Sequence, residues 1–268
     1  MKVSVITISY NDLAGLQRTI PSVIGQTRFD VVEYIIIDGG STDGSEAFIA
    51  QHRPYLSYYC SEKDGGIYEA MNKGLRHATG EYVVYTNSGD MLYDSSVIEK
   101  FIAADPTADI CIGDTIITYE SGQEKLWKSQ ENVSMRILYN GSVSHQASFV
   151  RTEVLRKHGF DERYKIVSDW KLFIQLFVFD NCSYQKLNFI VCRFMWGGIS
   201  SCHEKAQTER KRVLDEYFPP RLQQDLAYLH HGYTKVEKQL KKINLHKRSG
   251  RFLSLIIGLI YKYQHGNR

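Results

Sequence analysis

Tyr34-Ile-Ile-Ile-Asp38-Gly-Gly-Ser-Thr-Asp43-Gly44 is the stretch that decides the fold. An apolar, β-branched run of strand length ends in a turn of glycines and acids. Two more stretches read the same way: Val3-Ser-Val-Ile-Thr-Ile-Ser-Tyr-Asn11 and Tyr82-Val-Val-Tyr-Thr-Asn87-Ser-Gly-Asp90. Runs of this kind, separated by helical patterns, belong to parallel strands buried on both faces. In an open α/β sheet, ligands sit beyond the carboxyl ends of the strands. Asp38, Asp43 and Asp90 are therefore expected at one rim. Carboxylates gathered there suit a sugar hydroxyl, a base edge or a hard cation such as Mg2+ or Mn2+.

Outward from these runs, Leu13, Leu16, Ile20, Val23 and Ile24 recur at helical spacing behind a capping Asn11 or Asp12. The turn at 41–45 opens a second helix through Gln51, and a short strand follows near 56–60. Ile67, Met71 and Leu75 mark a third helix, with Gly80 as its expected C-terminal glycine stop. A helix around 95–104 and a strand at 109–113 come next. This alternation predicts an α/β fold with a mostly parallel, doubly wound sheet. Beyond Thr115 the pattern is mixed: a hairpin of 115–119 and 125–128 around Ser121-Gly122, a strand at 148–150, and a helix at 152–158. A further helix over 169–179 is expected to bury Trp170, Phe173, Ile174 and Phe177. From about residue 204 the chain reads as helical, with a break at Pro219-Pro220. The expected organisation is a body, 1–203, and a helical C-terminal extension, 204–268.

A length of 268 residues fits one large α/β domain with an appendage. No long apolar stretch stands behind a basic head at the start, so no secretory signal is expected. The five cysteines are scattered, without C-x-x-C spacing. Reduced thiols, a cytoplasmic location and the absence of a zinc site are the expectation. A net charge of +3 is too small to imply nucleic acid as a partner. The charge is uneven, however. Residues 235–251 hold seven Lys or Arg and one acid, Glu237, and the apolar run 252–261 follows. That run is too short to span a bilayer, which takes about 20 residues. A basic segment beside an apolar one suits the interface of an anionic membrane. The alternative is a C-terminal helix docked on the body or on a second copy of the chain, which leaves a homo-oligomer open.

Six ordered pieces carry a resemblance. They are Thr7-Ile-Ser-Tyr-Asn11, Ile36-Ile-Asp38-Gly-Gly-Ser-Thr-Asp43-Gly-Ser45, and Glu62-Lys-Asp64-Gly-Gly-Ile-Tyr68-Glu-Ala-Met-Asn72-Lys73-Gly74. Ala78-Thr-Gly-Glu81-Tyr82, Asn87-Ser-Gly-Asp90 and Ser168-Asp169-Trp170 follow. From Val3 to roughly Ser201 the chain resembles the inverting family 2 glycosyltransferases of the GT-A fold, nearest to bacterial enzymes that build surface polysaccharides. The resemblance implies a Rossmann-like, mixed sheet flanked by helices. It also implies a nucleotide-sugar-binding half, 1–114, and an acceptor half, 115–203.

The donor implied by the family is a nucleotide sugar, most often of UDP, with Thr7, Ser9 and Asn11 lining the nucleotide. Asp38 would accept a hydrogen bond from uracil N3–H, since a carboxylate only accepts and N3–H donates. Asp38 equally suits the turn before Gly39-Gly40, and Asp43 reads as a helix cap. Asp64 begins a glycine loop whose free N–H groups can face a diphosphate or sugar. Asn72 and Lys73 border the donor in the family. The family's D-x-D pair is here Asn87-Ser88-Gly89-Asp90, with Asn87 at the first acidic position. Asp90 is then the expected ligand of Mn2+ or Mg2+.

Asp169 stands where the family places its catalytic base, a position that also suits a helix cap. His145 is expected to reach the acceptor or the metal side. His203 follows a Gly-Gly loop that can act as a lid over the diphosphate. Trp170 and Trp196 stack on a sugar or belong to the core. The acceptor would be a saccharide or lipid-linked saccharide at the inner face of the cell membrane. Two other readings compete: a non-catalytic nucleotide-sugar-binding module, and a nucleotidyltransferase. The latter needs a glycine-rich, basic triphosphate loop that residues 8–11 do not provide.

Overall fold

The computed structural model describes residues 1–197 and 203–229. The chain divides into two compact units, Met1–Val213 and Leu214–Arg268. In the first unit the core is a mixed sheet. Its first half is made of β1 (Val3–Ser9), β2 (Val32–Asp38), β3 (Tyr58–Ser61) and β4 (Tyr82–Tyr85). These four lie parallel in the order β3-β2-β1-β4. Every residue of β1 and β4 is buried, which is what their unbroken apolar runs require. The register aligns Ser9 with Asp38, and Asp38 with Ser61, so three strand ends meet at one rim.

The connections are helical: α1 (Leu13–Ile24), α2 (Ser45–Gln51) and α3 (Ile67–His77). α1 packs through Leu16, Ile20 and Val23, all fully buried. α3 lies so close to the sheet that a Cβ on Gly74 would sit 2.5 Å from Ile6 Cγ2. Gly80 is not the helix stop that its position suggests. The α3 cap is Ala78, and Gly80 is small because a Cβ there would lie 2.6 Å from the Ser4 backbone nitrogen.

The second half of the sheet comprises β5 (Met91–Leu92), β6 (Ile110–Thr118), β7 (Glu124–Trp127), β8 (Ser148–Arg151) and β9 (Tyr184–Met195). It continues the order as β4-β8-β6-β9-β5, with β7 paired to β6. β8 is antiparallel to both β4 and β6, and β6 and β9 are parallel. Two sequence expectations change here. The strands read at 109–113 and 115–119 are one strand, β6, which carries an irregularity at Gly113 and Asp114. A Cβ on Gly113 would lie 2.4 Å from Val191 Cγ2, so the glycine admits β9. β9 itself is twelve residues long and has no counterpart in the sequence reading.

The remaining helices of this unit are α4 (Val97–Ala103), α5 (Met135–Asn140), α6 (Thr152–His158) and α7 (Ser168–Ile174). The helix expected over 169–179 is α7 followed by a π-helical turn at Gln175–Phe179. Trp170, Phe173 and Ile174 are buried as expected, whereas Phe177 is half-buried. α8 (His203–Tyr217) follows, and residues 220–229 are helical after Pro219. The side chain of His203, residues 198–202 and the basic and apolar stretch 235–261 lie outside the described residues. Among the described residues no helix is long and apolar enough to cross a membrane. Cys60, Cys111, Cys182 and Cys192 are free thiols, and Cys111 and Cys192 are fully buried in β6 and β9.

Candidate functional site

The rim holds two groups of polar side chains. The first is built on the loop after β2. Asp38 is fully buried. Its carboxylate accepts from the Ser41 N–H (2.9 Å), the Ser41 hydroxyl (2.5 Å) and the Ser61 hydroxyl (2.6 Å). Gly40 has φ +80, which favours glycine, and lets the chain turn back over Lys63. Asn11, itself left-handed at φ 47, accepts from the Thr42 N–H through its side chain. Its own N–H donates to the Ser41 hydroxyl. Asp43 accepts from the N–H groups of Leu13 and Ser45, which tie α1 to the start of α2. Bonds to Ser45 and Leu13 hold its carboxyl below the usual range.

Asp64 sits over this loop, and a Cβ on Gly39 would lie 3.0 Å from its Oδ2. Its Oδ1 accepts from the Gly66 N–H. Burial, with neighbouring carboxylates, pushes the Asp64 carboxyl up. Three expected donor residues are otherwise engaged. Thr7 is fully buried and donates to the Thr86 carbonyl. Asn72 grips the backbone of Phe160 through both ends of its amide. Lys73 pairs with Glu62 and Glu69, which raise its pKa.

The second group lies beyond β4. Asp90 is 5% exposed, and among the described residues its carboxylate accepts a single hydrogen bond, a long one, 3.3 Å, from the Met195 N–H. Burial pushes its carboxyl up to about 7, against the pull of His145. His145 in turn lies 3.0 Å, through Nδ1, from Asp169 Oδ2. Asp169 Oδ1 accepts from the Tyr68 hydroxyl at 3.1 Å, which also donates to the Ile166 carbonyl. Burial alone would raise the Asp169 carboxyl, but His145, the Trp170 N–H and Tyr68 together hold it below the usual range. Its side chain remains 18% exposed, so the residue is not fully sealed from solvent. Trp170 is 2% exposed and donates to the Leu138 carbonyl, which places it in the core.

Some buried polar atoms of these elements have no hydrogen-bond partner among the described residues. They include Ser9 Oγ, Asn87 Oδ1, His145 Nε2 and Ser168 Oγ. Such atoms are costly when unmet. Sequence reasoning missed Tyr68, Glu209 and Arg210. Glu209 of α8 accepts from the N–H groups of Lys165, Ile166 and Val167, just before Asp169. Arg210 stacks over Trp170, 4.8 Å from the ring centre. Tyr68 stood inside a quoted motif and could have been singled out. The α8 pair had no signal, because that helix reads as a solvated, charged one.

Comparison with known proteins gives this geometry a family. A sequence model described as Glycosyl transferase family 2 matches residues 4–186. An uncharacterized glycosyltransferase of Mycobacterium tuberculosis is 32% identical over 214 residues, which is 75% of this chain and 78% of the relative. A PGL/p-HBAD biosynthesis glycosyltransferase of Mycobacterium bovis is 29% identical over 181 residues, covering 65% of this chain and 69% of the relative. Two solved structures share the fold. S. aureus TarS 1-349 in complex with UDP-GlcNAc has a TM-score of 0.63 at 18% identity, over 86% of this chain and 71% of that one. Mannosyltransferase PcManGT from Pyrobaculum calidifontis, in complex with GDP-Man and Mn2+, has a TM-score of 0.59 at 20% identity, over 96% and 80%. The mixed sheet is thus a GT-A fold, and the chain belongs to glycosyl transferase family 2.

Proposed function

We propose that this glycosyltransferase inverts the anomeric centre of a hexosyl group as it moves it from a nucleoside diphosphate to a saccharide or lipid-linked hydroxyl. Cell-surface polysaccharide assembly at the inner face of the membrane is the setting that fits such an acceptor. The observation that carries the reading is Asp169: a partly exposed carboxylate held below its usual pKa range and fixed by His145 and Tyr68. Asp169 takes the proton of the acceptor hydroxyl as the oxygen attacks the anomeric carbon. The bond from that carbon to the β-phosphate oxygen breaks on the opposite face, and the nucleoside diphosphate leaves.

UDP is the preferred nucleotide. TarS was solved with UDP and with UDP-GlcNAc, and the archaeal mannosyltransferase with GDP-Man, so a nucleoside diphosphate is the common element. Ser9, Asn11 and Asp64 border the nucleotide in this reading. Asp38 shapes the loop that receives the base, because its carboxylate is already occupied by Ser41 and Ser61. The body 1–203 holds the donor half, 1–114, and the acceptor half, 115–203, and 204–268 forms the extension. The basic tail would meet the membrane.

A divalent cation fits the second group. Asp90 offers a buried carboxylate with one weak partner, and Asn87 in the same turn offers an unmet oxygen. Among the described residues no cluster of three or more His, Cys, Asp or Glu could hold an ion alone, so phosphate oxygens must complete the shell. Asp90 and Asn87 would hold Mn2+ or Mg2+, which would offset the charge of the leaving diphosphate. The test is calorimetry with UDP, GDP and dTDP in Mn2+, repeated in EDTA and with Asp90→Ala. One nucleotide should bind, and both EDTA and Asp90→Ala should weaken it. No binding of any of the three would overturn the reading.

A further inference from the structure

α8 brings a half-buried cation close to Asp169. Arg210 is half-buried, and its guanidinium carbon stands over Trp170, 4.8 Å from the ring centre, a cation–π contact. That platform is rigid, because Trp170 is 2% exposed and anchored to the Leu138 carbonyl at 2.7 Å. The residue immediately before the platform is Asp169, whose charge Arg210 feels. Yet no hydrogen bond or ion pair holds the Arg210 guanidinium among the described residues. The carboxylate next to it in sequence, Glu209, is committed to the three N–H groups of residues 165–167. A guanidinium cannot shed its proton, and burial lowers its pKa with only the more distant charge of Asp169 pulling the other way.

The donor proposed above brings an anion, and two cations of the neighbouring segments are already engaged. Lys73 is paired with Glu62 and Glu69, and Lys165 is exposed and donates to the Gly65 carbonyl. We propose that Arg210 binds the terminal phosphate of a nucleoside diphosphate donor, clamping it from the Trp170 platform beside Asp169. This rests on the glycosyltransferase reading. A planar guanidinium presents two parallel N–H groups to phosphate oxygens, so it fixes the orientation of the leaving group as well as its charge. Trp170 then serves catalysis from the core: it holds the arginine rather than the sugar.

The test compares diphosphate with monophosphate. Full-length wild type, Arg210→Ala and Arg210→Lys are titrated calorimetrically in Mn2+ with UDP, GDP and dTDP, and with the monophosphate of whichever binds. Arg210→Ala should weaken the diphosphate by roughly tenfold to a hundredfold and leave the monophosphate within about twofold. Arg210→Lys should recover part of the loss, and it carries the test if the alanine variant does not fold. Unchanged diphosphate affinity, or equal losses for both nucleotides, would overturn the role of Arg210 and leave the reading of function standing. Failure of wild type to bind any of the three diphosphates would overturn that reading, and this role with it.

Discussion

Replacing Glu33 by Gln should destabilise the protein at neutral pH and leave the rim untouched. Glu33 lies at the start of β2, at the opposite end of the strands from Asp38, and is 4% exposed. Its carboxylate accepts from Lys2 Nζ (2.9 Å), Ser4 Oγ (2.6 Å), the Thr79 N–H (2.5 Å), Thr79 Oγ1 (2.5 Å) and the Gly80 N–H (3.2 Å). Burial works against the charge, but those donors outweigh it and bring the carboxyl from 4.5 to about 2. At about 1.4 kcal/mol per pKa unit, that difference corresponds to on the order of 3 kcal/mol. The folded-state value is depressed, so the stabilisation is present above about 4.5 and is lost as pH falls toward 2. A glutamine loses the charge and turns an NH2 group toward donors. Urea unfolding of wild type and Glu33→Gln from pH 7 to pH 3 measures the gap. It should be about 3 kcal/mol at pH 7 and narrow below pH 4.5. A gap below about 1 kcal/mol at pH 7, or one independent of pH, would refute the reasoning.

Two further expectations concern the second group. Tyr68→Phe removes the hydroxyl that holds both Asp169 and the Ile166 carbonyl, and should lower turnover roughly tenfold with nucleotide affinity unchanged; equal turnover in steady-state kinetics would sink the assignment. Glu209→Ala leaves three consecutive N–H groups without an acceptor, and should cost about 1–3 kcal/mol in urea unfolding, part of which Glu209→Gln recovers. An unchanged unfolding midpoint would show that the loop before Asp169 does not depend on α8.

The parts of the fold legible in the sequence were those where one physical cause dominates. β1, β2 and β4 are buried on both faces, so their apolar runs could not be mistaken. β9 was invisible because Gln185, Lys186, Asn188 and Arg193 interrupt its apolar residues, and its burial is correspondingly uneven. Gly80 showed the limit of reading glycine as punctuation: the approach of β1, a tertiary fact, decides it. At the site, Asp38, Asp64, Asp90 and Asp169 could be placed along the strand ends. Whether a carboxylate there meets a ligand or its own loop depends on partners distant in sequence, as Ser61 is for Asp38 and His145 for Asp169. Arg210 was unreadable for the same reason, since its surroundings come from α7 and not from α8.

The two buried cysteines give the sheet a built-in reporter. Cys111 and Cys192 sit on adjacent strands, β6 and β9, and neither is reached by solvent. Burial pushes the Cys111 thiol up to about 12 and the Cys192 thiol higher still, so neither supplies thiolate to an alkylating reagent in the closed protein. Labelling then requires the packing around that seam of β6 and β9 to open. The rate of alkylation at these positions, relative to an unfolded control, therefore measures the free energy of opening that seam. Since β9 ends at Met195, whose N–H holds Asp90, a ligand at the rim that tightens the seam would register as slower labelling of Cys192, without any activity assay.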